Sequence, residues 1–266
     1  MNRNTWRWIN TSALVLATAV NVFADWVPLG AGTTLSIFAA YPNAFMPAPV
    51  TFAIRGVILL LLAVFAVYQW GVFDRERDSS RVLSAVGPWF AIGCAVEIAG
   101  VFLWHFGAIG LSLTCVPVLL GVLTVIRIRV SRLRLGFWSG IAAGTGFDVW
   151  LGWSIAMMFA GLHVWLTKIG WSGLGLAPDT WAVFSIILSA AVTSILVIAW
   201  DMRAAAFAVM WAYAGILIRQ ISGDGFYGGQ PFVISAAIAA EAMILGAMLS
   251  PLMAGPIARR MARAQG

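Results

Sequence analysis

Hydrophobic residues in this chain come in long, nearly unbroken runs separated by short polar or charged breaks. About 20 apolar residues of α-helix cross a bilayer core about 30 Å thick. On that ruler the runs predict eight spans, at 9–27, 50–72, 83–105, 108–127, 138–162, 180–200, 203–221 and 231–254. Barrel strands would be about 10 residues long with strict alternation. Continuous runs favour helices, because a helix satisfies its backbone hydrogen bonds within itself. The expected fold class is all-α, a polytopic transmembrane helical bundle.

Within the runs, spacing orients two helices. Gly140, Gly144, Asp148, Gly152, Ala156 and Ala160 recur every four residues and form one small-residue stripe. Such a stripe lets another helix approach closely, so Asp148 is expected to face protein. Gly93, Glu97, Gly100 and Trp104 share a face in the third run, which turns Glu97 inward too. On the first run, Thr18, Asn21 and Asp25 share a face that runs toward the first long loop, a source of polar contacts or of interhelical hydrogen bonds.

Composition agrees: 62% of residues are hydrophobic and 10% charged, against about 25% charged in soluble domains. The net charge of +6 is explained by where the charges sit. Arg3, Arg7, Arg75, Arg77, Arg81, Arg127, Arg129, Arg132, Arg134, Arg203, Arg259, Arg260 and Arg263, 13 of the 16 basic residues, fall on one side of an eight-span chain. The positive-inside rule makes that side, with both termini, cytoplasmic. Orientation thus accounts for the basic excess, and nucleic acid is not an expected partner. The first run also resembles a cleavable leader through Val22, Phe23 and Ala24, and is read as a retained helix.

The longest predicted non-spanning stretches, 28–49 and 163–179, fall on the opposite side and are apolar and aromatic. The arginine-bearing connectors read as plain solvated loops. Trp8, Trp26, Trp70, Trp104, Trp138, Trp181 and Trp200 lie near span ends, as in an interfacial belt. Trp89, Trp150 and Trp153 lie deeper and are candidate walls of a pocket for a flat ligand. Cys94 and Cys115 match no metal or redox spacing and read as apolar filler.

Four ionisable residues, Arg55, Glu97, Asp148 and Glu241, lie inside the spans. A charge near the bilayer centre costs at least about 2.5–3.5 kcal/mol, so such residues pair, face the bundle interior, or line a pathway. Asp148 and Glu241 are read near mid-membrane. Each is either a protonated carboxyl hydrogen-bonded to a neighbouring helix or part of a proton or cation path. The chain shows no nucleotide loop, zinc spacing or Ser/His/Asp set. No enzymatic activity and no metal are expected.

Several segments resemble the tryptophan-rich sensory protein (TspO/MBR, translocator-protein-like) family. The stretch from Tyr41 through Pro47, Pro49, Thr51, Phe52 and Ile54 to Gly56 is similar to that family's Pro-x-x-(Tyr/Trp)-x-Phe-x-Ile-Trp-Gly lead-in. Val96–Phe106 looks like its Leu-Asn-x-x-Trp helix, and Trp150-Leu151-Gly152-Trp153-Ser154 like its Tyr-Leu-x-Trp-x-Ser motif. The resemblance covers 9–162 and implies a five-span bundle over 1–162. Residues 163–266 form a three-span extension like that of the longer bacterial members, through Trp211–Ile216. A bacterial inner membrane is the implied location.

Where the family pattern has Trp in the second span this chain has Arg55, where it has Asn in the third it has Glu97, and a further Trp is Gly100. The resemblance implies a cavity among spans 1, 2, 3 and 5 for a flat amphipathic ligand, with a tetrapyrrole the first candidate. The expected lining is Asn21, Asp25, Arg55, Glu97, Trp104, His105, Trp150 and Trp153. Arg55 either pairs with Glu97 or binds a ligand's anionic group through its planar fork. His105 is an interfacial imidazole or the axial ligand of a tetrapyrrole metal. Competing functions are a proton- or cation-coupled transporter and an accessory subunit of a larger pigment- or haem-related complex. The lipid bilayer, a small ligand and a second copy in a homodimer are the expected partners.

Overall fold

The computed structural model describes residues 2–27, 29–72, 77–133 and 135–253. Helices account for its regular structure, joined by short turns. Six stretches are long and apolar enough to cross a membrane: Pro49–Tyr68, Ile109–Ser131, Phe137–Lys168, Pro178–Trp200, Arg203–Ile221 and Pro231–Ser250. A bent pair makes a seventh when taken as one span. The chain is therefore a multi-pass helical membrane protein. The first predicted span is the 24-residue helix α1, Arg3–Trp26, which is more polar than the six spanning stretches and packs along the bundle. Its buried face carries Asn10, Leu14, Ala17, Asn21 and Ala24 at helical spacing.

Short α2 (Thr34–Ala40) is N-capped by the Thr33 hydroxyl, which accepts from Ser36 N–H. A 3₁₀ turn, Pro49–Ala53, leads into α3 (Ile54–Tyr68). The predicted third span is broken. Helix α4 (Arg77–Val86) ends at Gly87, whose φ of 50° suits glycine, and α5 (Trp89–His105) starts after Pro88 at an angle of 50°. The connector after α3 is thus no plain loop: α4 buries Ser79, Val82, Leu83 and Val86.

Helix α5 closes onto α6 (Ile109–Ser131) through a tight turn. Gly107, at φ 77°, donates to Trp104 O, and Ala108 donates to Leu103 O. This pair of bonds satisfies the last carbonyls of α5, and only glycine takes that conformation cheaply. Helix α7 (Phe137–Gly140), a π-turn (Ile141–Thr145) and α8 (Gly146–Lys168) form one 32-residue rod. The rod runs six residues past the expected end at 162, because His163 and Val164 are buried against neighbouring helices.

The π-turn also breaks the predicted small-residue stripe. A Cβ on Gly140 or Gly144 would meet open space, whereas one on Gly152 would overlap the backbone of Ala205. Close packing therefore holds only on the far side of the turn, where Ala156 and Ala160 are buried as well. The remaining helices are α9 (Pro178–Trp200), α10 (Arg203–Ile221) and α11 (Pro231–Met253). Helix α10 lies on α8 and on the 3₁₀ turn, while α11 packs on α9 and α10.

Among the described residues, Arg3, Arg7, Arg81, Arg127, Arg129, Arg132 and Arg203 share one end of the bundle, and α2 with residues 29–48 caps the other. We call these the arginine end and the loop end. Arg75, Arg134, Arg259, Arg260, Arg263 and Pro28 lie outside the described residues, as does the side chain of Arg77.

Candidate ligand site

Four helices bring polar side chains together at the loop end. Asn21 and Asp25 stand one turn apart on α1, Arg55 opens α3, Glu97 lies on α5, and Thr34 begins α2. Arg55 Nη1 donates to Asp25 Oδ1 at 2.8 Å, and Nη2 donates to Asn21 Oδ1. Asn21 returns its own amide to Ala17 O at 2.9 Å. The hydroxyl of Thr34 donates to Asp25 Oδ1 at 2.8 Å and lies 3.2 Å from His105 Nε2. His105 Nδ1 donates to Gly32 O at 2.7 Å, while Ala31 N–H donates to the His105 carbonyl at 2.7 Å. One hydrogen-bonded chain therefore ties the first loop to three helices.

The expected Arg55–Glu97 pair does not form: Arg55 is turned to α1, and Asp25 is its ion-pair partner. Asp25 and Asn21, on adjacent turns of one face, offer the guanidinium fork two acceptors in a row. Glu97 is half-buried beside Asn21, feels the Arg55 charge, and faces the same cavity. His105 is buried, with Nδ1 held by Gly32 O and Nε2 beside the Thr34 hydroxyl, so its ring is turned to the first loop.

Below this chain lies a cavity of about 170 Å³. Asn21, Thr34, Arg55, Glu97 and His105 form its polar end, and Phe38, Phe52, Trp104, Trp150 and Trp153 supply aromatic wall. Phe52 meets Trp153 edge to face at 5.7 Å, and Phe38 meets Trp104 at 4.9 Å. Trp150 is backed by Phe90, and Gly93 leaves room for its ring. The Trp104 Nε1–H is buried without a hydrogen-bond partner among the described residues, an unusual state for a buried donor. Of the expected lining residues, all but Asp25 line the cavity, and Asp25 reaches it through Arg55.

Other expectations change. Trp89 is no pocket wall: it lies at the arginine end with the Arg129 guanidinium 5.6 Å from its ring centre. Cys115, read as filler, is partly accessible and lines the cavity, whereas Cys94 is buried; both are free thiols. Sequence reasoning missed Thr34, Phe38 and Phe52. The Thr33-x-x-Ser36 cap marks a helix start there, but nothing local connects Thr34 with His105, 71 positions away.

The other intramembrane acids stand apart. Asp148 is not a lone carboxylate: Arg127 Nε lies 3.1 Å from its Oδ1, and Arg127 Nη2 donates to Trp200 O at 3.2 Å. The α6 helix runs on to Ser131, which carries Arg127 into the bundle beside α8. Glu241 is half-buried midway along α11 and has no hydrogen bond or ion pair among the described residues.

Helix α10 buttresses the site. Trp211 Nε1 donates to Thr51 O at 2.8 Å, Ala48 N–H to Gly215 O at 2.9 Å, and Gln220 Nε2 to Ala44 O at 2.9 Å. These bonds hold the first loop and the 3₁₀ turn, which carries Phe52 and leads into α3, where Arg55 stands.

No curated protein and no solved structure matches the chain. A family described as TSPO-like protein matches residues 7–250, from the second turn of α1 to the last turn of α11. With that match over nearly its whole length, the chain belongs to the TSPO-like protein family.

Proposed function

We propose that this integral membrane protein binds a small, flat, amphipathic anion in the loop-end cavity. The observation that carries the reading is the Arg55–Asp25 pair at the polar end of an aromatic-walled cavity. The Asp25 side chain is 40% exposed and that of Arg55 19%. A ligand carboxylate replaces the more solvated Asp25 on the guanidinium fork, which suits a planar two-oxygen acceptor. The aromatic body lies among Trp104, Trp150 and Trp153. Glu97 accepts from a ligand N–H or O–H, so the chemistry asked for is an aromatic acid with one ring donor.

Size selects within that class. Pockets for drug-sized ligands run about 300–1,000 Å³, and this cavity has about 170 Å³. A two- or three-ring aromatic acid suits it, while a whole tetrapyrrole does not fit unless wall residues move. The test is tryptophan quenching in detergent with an indole carboxylate, its neutral amide and a porphyrin dicarboxylate, on the parent and Arg55→Gln. The expected order is carboxylate over amide, with the difference abolished by Arg55→Gln. Equal binding of acid and amide to the parent would overturn the anion role, and porphyrin binding tightest would overturn the size argument.

A further inference from the structure

At the arginine end, a second groove of about 540 Å³ lies between α1, α4 and the chain following α6. Arg3, Ser80, Arg81 and Ser84 line it, with Ala85 and Leu133 as its apolar part. Its shape follows from the broken span. The 50° bend at Gly87–Pro88 lays α4 across the end of the bundle. One face of α4 buries Val82, Leu83 and Val86, and the other exposes Arg81 and Ser84. An amphipathic helix with arginine on its polar face is the form that lies in a membrane interface.

We propose that this groove is a binding site for a phosphate group, independent of the loop-end cavity. Two guanidiniums from different helices converge on it, and guanidinium forks bind phosphate oxygens in pairs. Among the described residues, Asp78 is paired with Arg81, 3.3 Å from its Nη1 and one turn away on α4. Surface pairs of that kind are weak, and the pair occupies one of the five N–H donors of Arg81. Ser84 Oγ donates to Ser80 O, so the arginines are the donors that matter. The apolar strip beside them suits an acyl chain, which makes the phosphodiester headgroup of an anionic phospholipid the expected source. Basic pockets between helices at the cytoplasmic face take such headgroups.

The full chain, purified in mild detergent, is offered phosphatidylglycerol, phosphatidylcholine or inorganic phosphate, and retained lipid is read by native mass spectrometry. Phosphatidylglycerol should be retained over phosphatidylcholine, and Arg81→Gln and Arg3→Gln should each lower retention about fivefold, which is about 1 kcal/mol per arginine near the surface. Arg203→Gln, which removes a charge at the same end but outside the groove, should leave retention unchanged. Inorganic phosphate that displaces the lipid at millimolar concentration would also support a phosphate site, with a soluble ion as its source. Equal retention of the two lipids would overturn the proposal, because the arginines then do not select the anionic headgroup, and so would an Arg203→Gln loss as large as that of Arg81→Gln, since bulk charge then explains the binding. A circular-dichroism melt of each variant confirms that loss of lipid is not loss of fold.

Discussion

Two arginine–carboxylate pairs sit at opposite ends of the bundle, and they differ chiefly in water. At the loop end, Asp25 of the Arg55 pair is 40% exposed; at the arginine end, Asp148 of the Arg127 pair is 9% exposed and Arg127 19%. The exposed pair stands at the polar end of a cavity, whereas the buried one is wedged between α6, α8 and the end of α9. Exposed ion pairs contribute about 0–1 kcal/mol. Breaking a buried pair costs about 3–5 kcal/mol, because it strands a charge. The same chemistry therefore gives an exchangeable contact at one end and a structural tie at the other.

The largest effect should come from Asp148→Leu, about 3–5 kcal/mol of lost stability by denaturant unfolding in detergent. The double variant Asp148→Leu with Arg127→Leu should recover most of that loss. If the single variant is neutral, the pair is not the tie described. Next is Gly152→Val, which sets a side chain against the Ala205 backbone and forces α8 away from α10. About 1–3 kcal/mol of destabilisation is expected, visible as a lower melting temperature. At the loop end, Gly107→Ala puts a Cβ at φ 77° in the α5–α6 turn and should cost about 1–2 kcal/mol. The smallest effect belongs to Asp25→Asn, under about 1 kcal/mol by the same unfolding assay. A loss as large as that of Asp148→Leu would erase the distinction between the two ends.

The helices were legible because a bilayer demands long apolar runs, and the runs show where it was met. Positions that share a helical face were legible too: Asn21 and Asp25 both meet Arg55, and Trp150 and Trp153 both line the cavity. Partners across helices were not. Arg55 and Glu97 were read as possible partners because both are charges inside spans, but a sequence carries no information on how each helix is rotated, and Arg55 turned to Asp25. Arg127 was counted as a solvated charge because the length rule ended its span early, which hid the partner of Asp148. The π-turn at Ile141–Thr145 has no pattern of its own, so the glycine stripe seemed longer than the contact it makes. Thr34 was illegible because its partner His105 comes from a distant helix.

The most direct test of an exchangeable rim pair is the affinity of one indole carboxylate for the parent, Asp25→Asn and Arg55→Gln, read by protection of Cys115 from alkylation. Cys115 lines the cavity, so a bound ligand should shield its thiol. The account predicts opposite shifts: Asp25→Asn frees the guanidinium and tightens binding, and Arg55→Gln weakens it about tenfold, the loss of about 1.4 kcal/mol. Weaker binding in both variants would show that the pair serves the site only as an intact unit, and would contradict the exchange.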